Sequence, residues 1–383
     1  MARTLKSDKM LFLPTLLLVG MSVVMVYSAS ALQAHADNQG AAFFLVKQMA
    51  WAVMGITLML VVMRVDYRQY RQPAVIWSLL AVAIVLLIAV FFFERKNGAH
   101  RWIALGPLSF QPSEFAKLAA ILFTVALLDR RMHRVNDLWY ALAPIGLMTV
   151  GLSSLILMEP DLGTAAVLVG VVVTIAFVAG LSYRYLFGTA MVLLPVLTAF
   201  LVGSDWRWRR LMAFLNPWDD PQGAGYQLAN SLIAVGSGGW FGRGLMDGIQ
   251  KLYYIPEPHT DFILAVIGEE LGLLGTTFTL LCFGFIAWRG LRASLVAPDR
   301  FGALLALGLT MMIVLQACVN ISVVIQLMPT KGIPLPFVSS GGSSLLTNLI
   351  AMGVLLNISQ QTRTPVGATP TRRSDWSLRG QEA

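Results

Sequence analysis

Charge is scarce in this chain: 13% of its 383 residues are Asp, Glu, Lys or Arg, against 57% hydrophobic ones. That leaves too little polar surface to coat a water-soluble globule of this length, so the solvent for most of it is lipid. Cysteine is nearly absent. Cys282 and Cys318 both fall within apolar runs, where a thiol is a small filler, so there is no disulfide framework and no zinc spacing. Of the four histidines only His259 lies near a plausible site, and no metal constellation is visible. There is no P-loop and no HExxH. The glycines between Gly236 and Gly248 neither fit a dinucleotide fingerprint nor follow a strand, which argues against nucleotide-driven chemistry. No internal repeat is evident, and this weakens an inverted-repeat transporter reading.

What the chain has instead is long apolar runs and a mean hydropathy of +0.70. A helix needs roughly 20 apolar residues to cross a hydrocarbon core of about 30 Å. Ten runs approach that length: Leu11 to Leu32, Phe43 to Met63, Ala74 to Phe93, Phe115 to Leu128, Leu138 to Met158, Leu162 to Leu181, Tyr185 to Gly203, Phe262 to Trp288, Phe301 to Met328 and Ser343 to Ile358. The expected fold is therefore all-α and polytopic, with about ten transmembrane helices. The fourth run is short, which leaves it tilted, re-entrant or extended by Gln111 to Glu114. The first resembles a secretory signal, with Ala34-His35-Ala36 after it, yet its apolar stretch exceeds a signal core and it reads as a helix.

The net charge of +8 and pI near 9.7 invite a nucleic-acid reading, but no basic soluble domain exists to hold a duplex. The excess has a simpler origin. If both termini are cytoplasmic, about twice as many of the 28 Lys and Arg fall in inner segments as in outer loops, the usual positive-inside bias. One outer loop, 204–260 between helices 7 and 8, is much longer than most other connections. Trp206, Trp208, Trp218, Trp240, Tyr253 and Tyr254 supply interfacial anchors there, and Tyr226 to Val235 reads as a short helix. The expected organisation is one integral membrane domain over 1–361 and a disordered cytoplasmic tail, 362–383.

Three polar clusters interrupt this apolar background, and ionisable groups at or within spans are functional candidates by default. The first runs from Gly98-Ala99-His100-Arg101-Trp102 to Gln111-Pro112-Ser113-Glu114-Phe115-Ala116-Lys117. Glu114 and Lys117 share a helical face and can pair; they either lock helix packing or line a substrate cavity. The second is Gln250 to Phe262, followed by Gly268-Glu269-Glu270-Leu271-Gly272. Asp261, at the start of the eighth run, either caps that helix or serves chemistry. The third, Pro329 to Ser344, is stiffened by prolines; Lys331, Gly341 and Gly342 suit a ligand contact, although a plain helix start explains its serines equally well.

Gly-Ala-x-Arg-Trp-Ile with Gln-Pro-Ser-Glu-Phe-Ala-Lys, the run from Gln250 to Glu270, and Pro-Leu-Pro-Phe with Ser-x-Gly-Gly-Ser-Ser, in this order on ten spans, resemble the SEDS (shape, elongation, division and sporulation) family from the first span through Leu355. Ser340 departs from the pattern, which usually has Tyr there, and puts an aromatic contact in doubt. The resemblance implies a peptidoglycan glycosyltransferase of the bacterial inner membrane that polymerises lipid II into glycan strands and releases undecaprenyl diphosphate. It implies partnership with a class B penicillin-binding protein and other divisome proteins. Pro329-Thr330-Lys331-Gly332 and the Gln250-Lys251 pair are more typical of its division branch than of its elongation branch. Asp261 matches the family's essential acidic position, making it the candidate general base. Arg101, Glu114, Lys117, Lys251, His259, Lys331, Ser339 and Ser343 become the candidate substrate contacts. No organic cofactor is expected; a divalent cation, Mg or Mn, could share the charge on the leaving diphosphate. The rival readings are a lipid II flippase and a non-catalytic division scaffold.

Overall fold

The computed structural model describes residues 8–36, 40, 42–94, 99–105, 108–223, 225–252 and 257–361. Gly98, Tyr253, Tyr254 and the tail 362–383 lie outside the described residues. Each of the ten apolar runs is a helix: α1 (Lys9–Ala36), α2 (Phe43–Val62), α3 (Pro73–Ala89), α4 (Pro112–Arg131), α5 (Ala143–Met158), α6 (Leu162–Val178), α7 (Tyr183–Val202), α10 (Ile263–Leu295), α11 (Arg300–Val324) and α12 (Gly342–Gln361). The long loop between α7 and α10 adds α8 (Asp205–Leu215) and α9 (Tyr226–Ser237). Seven of the described helices have the length and hydropathy of a full membrane span, and α6, at 17 residues, is a shorter apolar helix. The protein is a multi-pass membrane helix bundle. Its first helix packs against α2 and α10 as a member of that bundle.

The axis of the bundle is α12, buried almost continuously from Ser343 to Gln360 and packed on α2, α11 and α4. A helix surrounded by protein meets no lipid, so it holds Ser343, Ser344, Thr347 and Asn348 where a peripheral span carries aliphatic side chains. The peripheral α2, α3 and α7 expose Val53, Val85 and Met191 outward, as lipid contact requires.

Two local features were not expected from the sequence. The α3–α4 connection forms a hairpin, β1 (Ile103–Leu105) and β2 (Leu108–Phe110), antiparallel with Ile103 opposite Phe110. Pro112 then opens α4 in its first turn, where a missing N–H costs nothing. The fourth helix is thus a full 20 residues, and Glu114 and Lys117 lie in its first two turns.

The second is a break in α10. Its 33 residues would span about 50 Å at 1.5 Å per residue, far beyond the hydrocarbon core. Gly272, at φ 65°, divides it into a short buried helix and the eighth span proper. The backbone groups freed by the break are satisfied by the long loop. Arg243 and Gly244 N–H donate to the Glu269 and Glu270 carbonyls (3.0 and 3.1 Å), while Leu273 and Leu274 N–H donate to Gly239 and Trp240 (2.9 and 3.2 Å). The approach is so close that a Cβ on Gly272 would stand 2.3 Å from the Gly242 nitrogen. The segment Phe262 to Leu271 is therefore buried polypeptide preceding the span rather than its outer end, which moves the expected boundary by about three turns.

Candidate active site

Asp261 sits between α9 and α10, on the bundle face that carries the long loop, the β-hairpin, the α5–α6 turn and the α11–α12 loop. The residue preceding α10 is Phe262 and no side chain caps this helix, so the Asp261 carboxylate is not used as an N-cap. The backbone around it is held from two sides. Asn320 of α11 donates from Nδ2 to the Asp261 carbonyl (2.8 Å) and to the Ile333 carbonyl (2.7 Å). Ser339 donates to the Thr260 carbonyl (2.6 Å) while accepting from the Leu335 N–H (2.7 Å), and the Ser340 N–H donates to the His259 carbonyl (2.9 Å). The proline-rich loop is thereby laced to the end of the long loop.

Gly332 forms one wall of the site. A Cβ there would stand 3.2 Å from Asp261 Oδ2 and 3.7 Å from Arg101 Nη1, so the carboxylate and this guanidinium border the same small space. Arg101 is anchored by its other nitrogens: Nε donates to the Glu159 carbonyl (2.9 Å) and Nη2 to the Pro160 carbonyl. Arg210, from amphipathic α8, is the second cation. Burial and the like charge of Arg101 lower its pKa, while Asp261 pulls it back up. Burial, reinforced by Asp161 and Glu257 and opposed by Arg101 and Arg210, raises the Asp261 carboxyl from its ordinary 3.8 to about 7. A carboxyl half-ionised at neutrality can accept a proton, and two guanidiniums beside it can hold an anion.

Sequence reasoning passed over the turn Glu159-Pro160-Asp161 between the fifth and sixth runs, although two acids in so short a turn between apolar spans are a signal in themselves. Asp161 caps α6 by accepting from the Thr164 N–H and hydroxyl (3.1 and 2.8 Å), and it also accepts from Gln111 (3.1 Å). Glu159 is fully buried and neither carboxyl oxygen has a partner among the described residues. Burial and then Asp161 push its pKa to about 9, so it is a neutral acid at pH 7. Arg210 was missed because nothing in α8 marks which of its arginines turns inward. Asn320 was missed as an uncharged amide in a long apolar run.

The expected Glu114–Lys117 pair forms: Lys117 Nζ lies 2.9 Å from Glu114 Oε1, both side chains being at most 2% exposed. Lys117 also donates to Gln316 Oε1 (2.6 Å). The pair lies inside the bundle rather than beside Asp261, and Ser343 is fully buried at the start of α12. Lys251 is placed elsewhere again, paired with Glu270 (2.6 Å) and donating to Ser28 of α1 (2.9 Å), where it ties the long loop to the bundle. The His259 ring is buried against Phe44 with centroids 4.7 Å apart. Burial, then the charge of Lys47, lowers its pKa to about 4, so it is neutral at pH 7. Lys331 is half-buried next to Gly332. Of the sequence-derived candidates the structure thus gathers Asp261, Arg101, Ser339 and Lys331 at one mouth of the bundle. Among the described residues no three His, Cys, Asp or Glu side chains converge to cage a cation.

Fold and site together define an integral membrane protein with a buried carboxyl and two arginines near it at the mouth of its helix bundle. A family model described as cell cycle protein and spanning FtsW, RodA and SpoVE matches residues 8–364. The chain belongs to this family. It is similar to the probable peptidoglycan glycosyltransferase FtsW of Geobacter metallireducens, 41% identical over 359 residues that cover 93% of this chain and 95% of that protein. It is also similar to stage V sporulation protein E of Bacillus subtilis, 40% identical over 361 residues covering 93% and 98%. Among solved structures, a chain of a peptidoglycan synthase complex that coordinates polymerization and crosslinking superposes with a TM-score of 0.76 at 30% identity, covering 94% of this chain and 99% of that one. Thermus thermophilus RodA, a rod shape determining protein, superposes with a TM-score of 0.69 at 26% identity, with the same coverage.

Proposed function

We propose that this protein is the glycan polymerase of a cell-division machine: it joins lipid II units, releases undecaprenyl diphosphate, and works with a class B penicillin-binding protein that crosslinks the product. The observation that carries this reading is an uncapped carboxylate, Asp261, sharing one wall with Arg101 and lying in the field of Arg210. In the proposed step Asp261 takes the proton from the acceptor sugar's 4-hydroxyl as that oxygen attacks the donor's anomeric carbon. The bond from that carbon to the diphosphate breaks, and the departing anion is stabilised by Arg101 and Arg210, with Lys331 in the adjoining loop. One base suffices for such a displacement, with inversion and no glycosyl-enzyme.

The site face is extracytoplasmic in this reading and both termini are cytoplasmic, a placement supported by the Lys and Arg bias of the short loops. Glu114, Lys117 and Ser343 support the site from within the bundle, while Lys251 and His259 hold the long loop in place. The nearness of both arginines to Asp261 supports their role toward the developing diphosphate charge. Among the described residues no three acids or histidines converge to cage Mg or Mn.

The test is reconstitution: the purified chain with its partner and lipid II in detergent. Long glycan from wild type and none from Asp261→Asn is the expected result. A flippase or a scaffold makes no glycan in that mixture, so absence of product from wild type would replace the polymerase reading with one of those two.

A further inference from the structure

Two carboxamides of α11, Gln316 and Asn320, are four residues apart and so share one helical face. Both are buried, at 0% and 2% exposure. Asn320 uses its amide nitrogen twice, toward the Asp261 carbonyl (2.8 Å) and the Ile333 carbonyl (2.7 Å). Its own oxygen is left buried without a partner among the described residues. With two carbonyls facing it the amide cannot be turned round, since that would set oxygen against oxygen. One turn away, Gln316 donates to the Pro334 carbonyl (3.0 Å) and to Ser344 Oγ (3.3 Å), and accepts from Lys117 Nζ (2.6 Å).

No described side chain hydrogen-bonds the Asp261 carboxylate; the influences upon it are burial and charge at a distance. Its location is therefore set by its backbone, and the backbone hydrogen bond from a side chain of the spans comes from Asn320. The same α11 face grips the successive carbonyls of Ile333 and Pro334, which hold Gly332 against Asp261 and Arg101. Through Gln316 that grip extends to Lys117 and, by its ion pair, to Glu114.

We infer that Asn320 and Gln316 are positioning residues for the transfer reaction, a pair of amide staples that sets Asp261 and the Gly332 wall in register and joins that register to the intramembrane Glu114–Lys117 pair. The inference rests on Asp261 acting as the base. It gives the buried ion pair a part in the reaction at a distance from the reacting atoms: Lys117 orients Gln316, and Gln316 orients the loop.

The experiment uses the full chain with its partner and lipid II, following initial rates against pH and substrate. Asn320→Ala is expected to lower kcat by about tenfold to a hundredfold with KM within about twofold, the signature of misplacement rather than lost binding. With its backbone released the Asp261 carboxyl hydrates, so the midpoint of the acid limb of the pH–rate profile is expected to fall below that of wild type. Asn320→Ser retains one donor and should lie between the two, which keeps the test available if the alanine variant does not fold. Gln316→Leu should lower kcat similarly, and combining it with Lys117→Met should cost no more than Lys117→Met alone. Loss of folded protein alone would scale the rate at every pH without moving the midpoint. An unmoved acid limb and unchanged kcat in both Asn320 variants, alongside an inactive Asp261→Asn, would overturn the staple and leave the base assignment intact. Multiplying losses in the Gln316/Lys117 pair would overturn the link to the ion pair. Glycan synthesis by Asp261→Asn would instead overturn the base assignment on which the inference rests.

Discussion

Replacing Asp261 by Asn exchanges a carboxyl for a carboxamide of nearly the same shape, so it removes the proton acceptor without opening a cavity. Its effect on stability has a definite sign. The folded protein raises this carboxyl from 3.8 to about 7, which means that the fold favours its neutral form. Wild-type stability therefore declines as pH rises from about 4 to about 7 and levels off above, because ionising the group in place costs more than ionising it in the unfolded chain. At 1.36 kcal/mol per pKa unit the full penalty is about 4 kcal/mol. Asp261 retains partial access to solvent, and we discount the figure to about 2 kcal/mol. Asp261→Asn never ionises and escapes this penalty. Thermal unfolding in detergent at pH 8 should show the variant more stable than wild type, with a smaller gain at pH 5, while glycan synthesis is absent at both. Wild-type synthesis should rise through pH about 7 and hold level beyond it, as a base of that pKa requires. A variant no more stable than wild type at pH 8 would refute the claim that burial holds this carboxyl half-neutral.

Three further outcomes follow from the geometry. Lys117→Met leaves Glu114 charged in a dry core and should destabilise by about 3–5 kcal/mol, whereas Glu114→Gln with Lys117→Met should recover most of that stability without restoring synthesis; unfolding temperatures and glycan yield check both halves. Gly272→Ala places a methyl at φ 65° and 2.3 Å from the Gly242 nitrogen. Strain and overpacking together predict a loss of about 2–5 kcal/mol and faster protease nicking within 238–252, because the loop can no longer satisfy the broken helix. Gly332→Ala introduces a Cβ 3.2 Å from the Asp261 carboxylate at an exposed position, so kcat should fall about tenfold at unchanged unfolding temperature.

The ten apolar helices, the length of the loop between the seventh and eighth, and the pairing of Glu114 with Lys117 are all properties of short stretches of chain. Hydrocarbon thickness dictates how long and how apolar a span must be, and helical periodicity dictates that residues three apart meet, so each could be read before any neighbour was known. The candidacy of Asp261 and Arg101 was legible in the same way, as charges set against an apolar background. Their surroundings were not. That Arg210 rather than Arg209 turns toward Asp261, that Glu159 is a buried acid without a partner, that Lys251 belongs to Glu270 and Ser28, and that Asn320 holds Asp261 by its backbone all depend on which helices lie side by side. Local sequence determined that this chain is a multi-pass membrane protein with ten apolar helices and carries acids and bases at one end of them. Only the packing of α4, α11 and α12 around a shared polar interior decided which of those groups face one another, because pairing between distant segments is a matter of tertiary contact and leaves no periodic trace along the chain.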